Sequence, residues 1–410
     1  MHPRSILPAN VLPAVLVIAA LMGLVIAALL GLLEIGTAGW REGFARRQQE
    51  ACLDAAFLLW ECDSTLIGRL DTEGGFLVFD DDPRSQVVLS SCYWGLYRLV
   101  GASTADEKTR AMRLMGQACE SPLEAALYAC DNFRAFTLAG RSNFRGPIYL
   151  PGKKLLYGQV QSDFYAEEPV SEEEIRASKT DFPEPCPGIR DSLRALMLAR
   201  DTASAFVGTE RITRSFFEPP LFLRADTLRG VSLRGRIVVC SADLLEIDST
   251  AALFDILAVA RRVVIRSGFS GSVQVVASDT VIVEPRVRLD YPSGIVMPET
   301  PSKSHIEIGE GSEVNGYVIF DSAATSGEGQ AVNYRQHPDA RVRGLVWVDG
   351  IAQVQGAVTG SLYGNHLNYY ARWGYYENLL YDARVYRSDA MAFPVWMEAV
   401  YRKKTIKWLH

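Results

Sequence analysis

The chain has 410 residues, 48% of them apolar and 22% charged, with a formal net charge of −6. That balance excludes a disordered chain and a polytopic membrane protein, and leaves room for an anchor plus two or three domains. It also excludes a general nucleic-acid binder, which needs a concentrated basic face to neutralise phosphates.

Residues Val11 to Leu33 carry no charge and are mostly Leu, Val, Ile and Ala. As a helix they span roughly 34 Å, against about 30 Å of bilayer hydrocarbon. A cleaved signal peptide would have a shorter apolar core, roughly 7–15 residues, followed by a small-x-small site. The sequence Glu34-Ile35-Gly36-Thr37-Ala38-Gly39 fits that poorly. The expectation is an uncleaved anchor over residues 1–35, with the lipid bilayer as its partner. Arg41, Arg46 and Arg47 follow the span and only Arg4 precedes it, so local charge does not favour a cytoplasmic N-terminus. Long domains are translocated largely regardless of such charge, so the main domain is expected on the far side.

Residues 36–134 read as a helical stem and a small α+β region. Trp40, Phe44, Gln48, Cys52, Ala56 and Trp60 recur every fourth residue, which predicts an amphipathic continuation of the membrane helix. Gly75 to Phe79 and Gln86 to Leu89 flank the turn Asp80-Asp81-Asp82-Pro83 and predict a hairpin. The aspartates lack further carboxylates at EF-hand spacing and read as a solvated turn. Pro122 to Cys130 reads as a short helix. The seven cysteines are Cys52, Cys62, Cys92, Cys119, Cys130, Cys186 and Cys240. None forms a CxxC pair, so zinc knuckles and thioredoxin-type motifs are not expected. Disulfides and buried thiols both remain open.

From about Ala135 the texture changes. Gly146, Gly235, Gly271, Gly316, Gly344 and Gly360 each precede a short apolar run such as Val-Ile-Phe or Leu-Val-Trp-Val. Such runs read as short strands, each entered by a glycine able to take positive φ. The interval of sixteen residues between Gly344 and Gly360 is about one coil of a β-solenoid. Residues 135–368 are therefore expected to be an irregular, right-handed β-helix-like solenoid. The alternative is a β-sandwich, for which Asn315-Gly316 and Asp349-Gly350 would be hairpin signals. Pro151 to Pro187, with its prolines and glutamates, reads as an insertion over 151–187. Ser249 to Arg262 reads as a helix capped by Ser249 or Thr250. The tail 369–410 is dense in aromatics and ends in Arg402, Lys403, Lys404 and Lys407. It is expected to cap the solenoid, or to use Trp373, Tyr375, Tyr376, Trp396 and Trp408 as a partner-binding surface.

Arg343-Gly344-Leu345-Val346-Trp347-Val348-Asp349-Gly350, with Val354-Gln355-Gly356 and Val358-Thr359-Gly360-Ser361-Leu362-Tyr363, resembles the coils of bactofilin-like polymer-forming β-solenoids over about twenty residues. A hydrophobic helix running into an amphipathic stem and a small β-region resembles the layout of type IV pilin-like proteins, particularly minor pilins or pseudopilins. No Glu lies within Val11 to Leu33, so only the topology is shared. These resemblances imply a single-pass protein of a bacterial inner membrane with a periplasmic domain. They also imply a scaffold or minor component of a pilus-like or secretion-like machine, with envelope proteins as partners.

The candidate catalytic residues are weak. Asp243, Glu246 and Asp248 lie near Arg236, and Glu246 and Asp248 share one strand face, as a membrane-held polysaccharide-binding or polysaccharide-degrading β-helix protein would require. No second cluster joins them. The five histidines form no HxH or HExxH pair, and Gly268-Phe269-Ser270-Gly271 misses nucleophile-elbow spacing. Neither a cofactor nor a metal is expected, and catalysis is not expected either.

Overall fold

A computed structural model describes residues 11–62, 75–79, 82, 85–118, 124–199, 203–205, 211–323, 331–397 and 402–409. The fold is mainly β with one long N-terminal helix, and the chain forms two compact units.

The first unit holds most of helix α1 (Val11–Cys62), residues 75–88 and residues 102–110. Among the described residues, α1 is the one helix long and apolar enough to cross a membrane or act as a signal sequence. Its Leu, Val and Ile side chains are exposed along the apolar stretch. The predicted stripe is buried only in its later part: Cys52 and Ala56 are buried, whereas Trp40 and Phe44 are exposed. Gln48 donates to Asp82 at 3.0 Å, and Thr109 donates to Gln49 at 2.7 Å. Phe76–Leu77 pairs antiparallel with Gln86 and Val87, as the hairpin reading expects. Of the predicted turn only Asp82 lies within the described residues; Asp80, Asp81 and Pro83 lie outside them.

The second unit is dominated by one large sheet that closes on itself, and every described pairing in it is parallel. Each strand segment meets one further along the chain. Leu233 faces Leu253, Leu289 faces Val314, Val314 faces Val342, Val342 faces Val358, and Val358 faces Val385. A second row runs Leu245, Val263, Val281, Ile306, Tyr334 and Ala352. A third runs Val239, Ala258, Val275, Ile295, Val318, Val346 and Leu362. These rows fill one aliphatic core. Lining up like residues in this way removes a continuous apolar surface from water at about 25 cal/mol per Å². Among the described residues, no antiparallel hairpin of a β-sandwich belongs to this sheet. Asn315-Gly316 and Asp349-Gly350 lie inside the strands Glu313–Ser322 and Arg341–Val354 and form no hairpin turn.

The third row belongs to a sheet face buried on both sides. Its outward residues include Val259, Val276, Ile319, Trp347, Tyr363 and Tyr128. They are covered by helix α2 (Pro187–Ala199) through Ile189 and Leu193, by Trp94, Leu96 and Tyr97, and by Phe393 and Trp396. This double burial explains a misreading. Ser249 to Arg262 is not a helix, because Ala252–Ile265 is a strand whose central residues Ile256 to Ala260 are all buried. A strand buried on both faces loses the period-2 alternation that marks one exposed face.

Three further expectations are corrected. Pro122 to Cys130 contains the strand Leu127–Ala129, and the residues before Glu124 in that stretch lie outside the description. This strand pairs with Leu362 to Gly364, a partner more than two hundred residues away that supplies what a helix would make locally. The segment 151–187 is not simply looped out. Leu155–Tyr157 pairs with Phe136 to Leu138, and Ile175–Ala177 pairs with Ile148–Leu150, so the segment is tied into the fold although much of its surface, Leu156, Tyr157 and Phe164 included, is exposed. The tail 369–410 is not one cap. Ala383–Tyr386 joins the large sheet, and Lys403–Leu409 pairs antiparallel with residues 112–117. Its basic residues are largely engaged as well. Lys403 is buried, donates to the Trp60 carbonyl at 2.6 Å and stands 4.2 Å from that ring. It thereby satisfies a carbonyl left open by the end of α1. Lys404 bonds the Asp389 and Ala390 carbonyls, and Lys407 pairs with Asp255. Six cysteines are described, all as free thiols; Cys119 lies outside the described residues.

Candidate functional site: an aromatic tongue

Residues Tyr369–Ala371 and Gly374–Tyr376 form an antiparallel hairpin closed by Arg372 and Trp373. Strand alternation sorts the tyrosines onto two faces. Tyr369 and Tyr376 turn one way, and Tyr369 lies 4.9 Å from Tyr381. Tyr370 and Tyr375 stack on the other at 5.7 Å. Trp373 at the tip is 82% exposed, with the Arg372 guanidinium 5.1 Å from its ring. The hairpin is rooted in a small core of Ala139, Val160 and Leu379. The strand Leu379–Tyr381 pairs with Thr137 to Ala139, and Tyr381 donates to Asp163 at 2.5 Å. That carboxylate, together with burial, pushes the Tyr381 hydroxyl up, so it stays a donor at any physiological pH. Phe164, next to Asp163, is also exposed. The outcome is an aromatic hairpin rooted in a packed core, with Trp373, Tyr375 and the neighbouring Phe164 exposed.

Three of the five predicted partner-binding aromatics share this hairpin: Trp373 and Tyr375 are exposed, whereas Tyr376 turns to its rooted face. Trp396 does not join them: it is fully buried, packed edge-on against Trp347 at 5.3 Å. Trp408 lies on Lys403–Leu409, half exposed, with the Arg113 guanidinium 3.8 Å from its ring. The density of aromatics in the tail carried no signal of which would be turned inward.

The carboxylates do not converge on a reacting centre. Asp243 accepts from Arg261 at 2.7 Å and Arg262 at 2.6 Å. Glu246 accepts from Arg266 at 2.7 Å, and Asp248 from the Thr250 hydroxyl at 2.7 Å. Arg236 is turned to the carbonyls of Phe216 and Glu218, away from all three. The Arg262 and Arg261 guanidiniums hold Asp243 below the usual carboxylate range, and the Thr250 hydroxyl and amide do the same for Asp248. Glu284, bound by the Ser267 amide and Arg266, is likewise held low. No group of three His, Cys, Asp or Glu side chains among the described residues is placed to hold a metal ion.

These depressed carboxylates give a pH prediction. A folded-state pKa below the unfolded value near 4 contributes stability that is present above that pH and lost as pH falls through the folded value. The melting temperature of the detergent-solubilised chain should therefore drop between about pH 4.5 and 3, and Asp243→Asn should flatten that drop. Equal slopes for the two proteins would contradict this account.

No family model, curated protein or solved structure matches the chain.

Proposed function

We propose that this is a membrane-tethered structural or assembly protein of the cell envelope, built on a β-solenoid and docking a protein partner through its aromatic tongue. The solenoid reading is supported by strand pairing in which Gly316 faces Gly344 and Gly344 faces Gly360, so the chain stacks on itself turn after turn. The exposed apolar part of α1 supports the tether, and the reading places it in a bacterial inner membrane with the main domain periplasmic. A role as scaffold or minor component of a pilus-like or secretion-like machine follows from the two resemblances. The observation that carries the function is the contrast between Trp373, 82% exposed on a rooted hairpin, and carboxylates saturated by arginines. Side chains that hold a partner must be accessible; side chains that do acid–base chemistry must have a free site before them.

Co-purification of the detergent-solubilised chain tests this reading. The wild type should bring down defined envelope proteins, and Trp373→Ser/Tyr375→Ser should lose them while keeping its melting temperature. Identical partner sets, or a wild type that purifies alone, would sink it. An export-dependent reporter fused after residue 410 should be active if the main domain is periplasmic.

A further inference from the structure

Beyond that role, one patch outside the tongue has the chemistry of a ligand site. On the outer side of the strands, in-register positions run Glu313, Arg341, Ala357, Arg384. The next row runs Arg343, Thr359, Tyr386, Arg145. Neighbouring strands lie about 4.8 Å apart, so Arg341 and Arg384 start about 10 Å apart. The short side chains of Ala357 and Thr359 sit between them. The result is a notch of 240 Å³ with a small-residue floor and arginines on both rims.

The charges here are unbalanced. Arg343 pairs with Glu313 at 3.3 Å, and Arg145 lies over the Tyr386 ring at 5.5 Å. Among the described residues, neither Arg341 nor Arg384 forms an ion pair, although the chain carries a net charge of −6. Beyond Arg384 a second recess is lined by Arg141 and Arg384 together with Glu167, Asp339 and Asp382, so carboxylates outnumber cations there and bound the site on that side.

We infer that this notch binds an acidic polysaccharide through its carboxylates. Guanidinium forks suit planar carboxylates, which they grip with two parallel hydrogen bonds. The Tyr386 ring, the Ala357 methyl and the Thr359 hydroxyl offer a mixed apolar and hydroxyl surface for a sugar ring. Phosphate sites typically present free backbone amides, whereas here the strand amides are spent on the ladder, as with Ala357 bonding the Ala340 carbonyl. Two guanidiniums on separate strands favour a polymer with repeated charges over a single ion.

The test is titration of the detergent-solubilised full chain with an oligogalacturonate, with neutral dextran and polyphosphate as comparisons. Oligogalacturonate should bind and weaken as salt is raised. Arg341→Gln/Arg384→Gln should weaken it about tenfold or more at unchanged melting temperature, since both side chains are exposed. Arg46→Gln on α1 should leave it unchanged. The inference falls if wild type does not bind, if dextran or polyphosphate binds as tightly, or if the double variant binds as well as wild type.

Discussion

Gly344→Val should leave no folded protein, and Gly344→Ala should lower the melting temperature by about 10 °C. Gly316, Gly344 and Gly360 face one another across three neighbouring strands, each at positive φ: 143°, 131° and 145°. A Cβ added to Gly344 would lie 1.8 Å from the Gly316 carbonyl oxygen, and one at Gly360 would lie 2.0 Å from the Gly344 oxygen. These are backbone atoms held by parallel hydrogen bonds, so they cannot swing aside as a side chain could. Any Cβ must both accept a backbone conformation costing about 1–3 kcal/mol and prise two strands apart. A loss on the order of 4 kcal/mol, at roughly 2–4 °C per kcal/mol for a large domain, gives the expected shift. Gly374→Ala is the control, because its Cβ would meet nothing within 4 Å. If Gly344→Ala melts with the wild type, the ladder is not the constraint described here.

That ladder also shows how far the sequence could be read. Apolar runs beside Gly235, Gly271, Gly316, Gly344 and Gly360 do lie in strands, and the sixteen-residue interval from Gly344 to Gly360 is the offset at which those residues pair. The glycines' role was only half legible. Gly316, Gly344 and Gly360 do not enter strands but sit within them, at positive φ and with a carbonyl of the preceding strand where a Cβ would be. Ala252–Ile265 could not be told from a helix, since burial on both faces removes the alternation. The pairing of Leu127 to Ala129 with Leu362 to Gly364 left no local trace either, because parallel partners need no connecting turn. At the tongue, aromatic density was visible. Which aromatics stand in solvent was not, since Trp373 and Trp396 differ only in what the fold lays over them.

The second large effect is expected at Gln274, the one polar residue among Val273, Val275 and Val276 on a strand buried on both sides. Its Oε1 accepts from the Leu96 amide at 3.1 Å and from the Tyr317 hydroxyl at 2.7 Å, and its Nε2 donates to the Trp94 carbonyl at 3.0 Å. One side chain thus fastens the turn between Trp94 and Tyr97 to the outer face of the large sheet. The turn comes this close because Gly95 has no Cβ; one there would lie 2.1 Å from the Gln274 oxygen. Gln274→Leu keeps the volume but takes away three hydrogen bonds, each worth about 0.5–1.5 kcal/mol, and leaves the Leu96 amide only the nearby Tyr317 hydroxyl to turn to. Relaxation will return part of that, so a loss of about 3 kcal/mol is expected. Hydrogen exchange at the Leu96 amide should accelerate by about a hundredfold, the equivalent of roughly 2.7 kcal/mol of lost protection. Gly95→Ala should produce the same loss at Leu96 by pushing the turn off the amide side chain. If Gln274→Leu exchanges at the wild-type rate, the aromatic packing of Trp94 and Tyr97 holds the turn by itself, and the polar clamp contributes specificity of register without measurable stability.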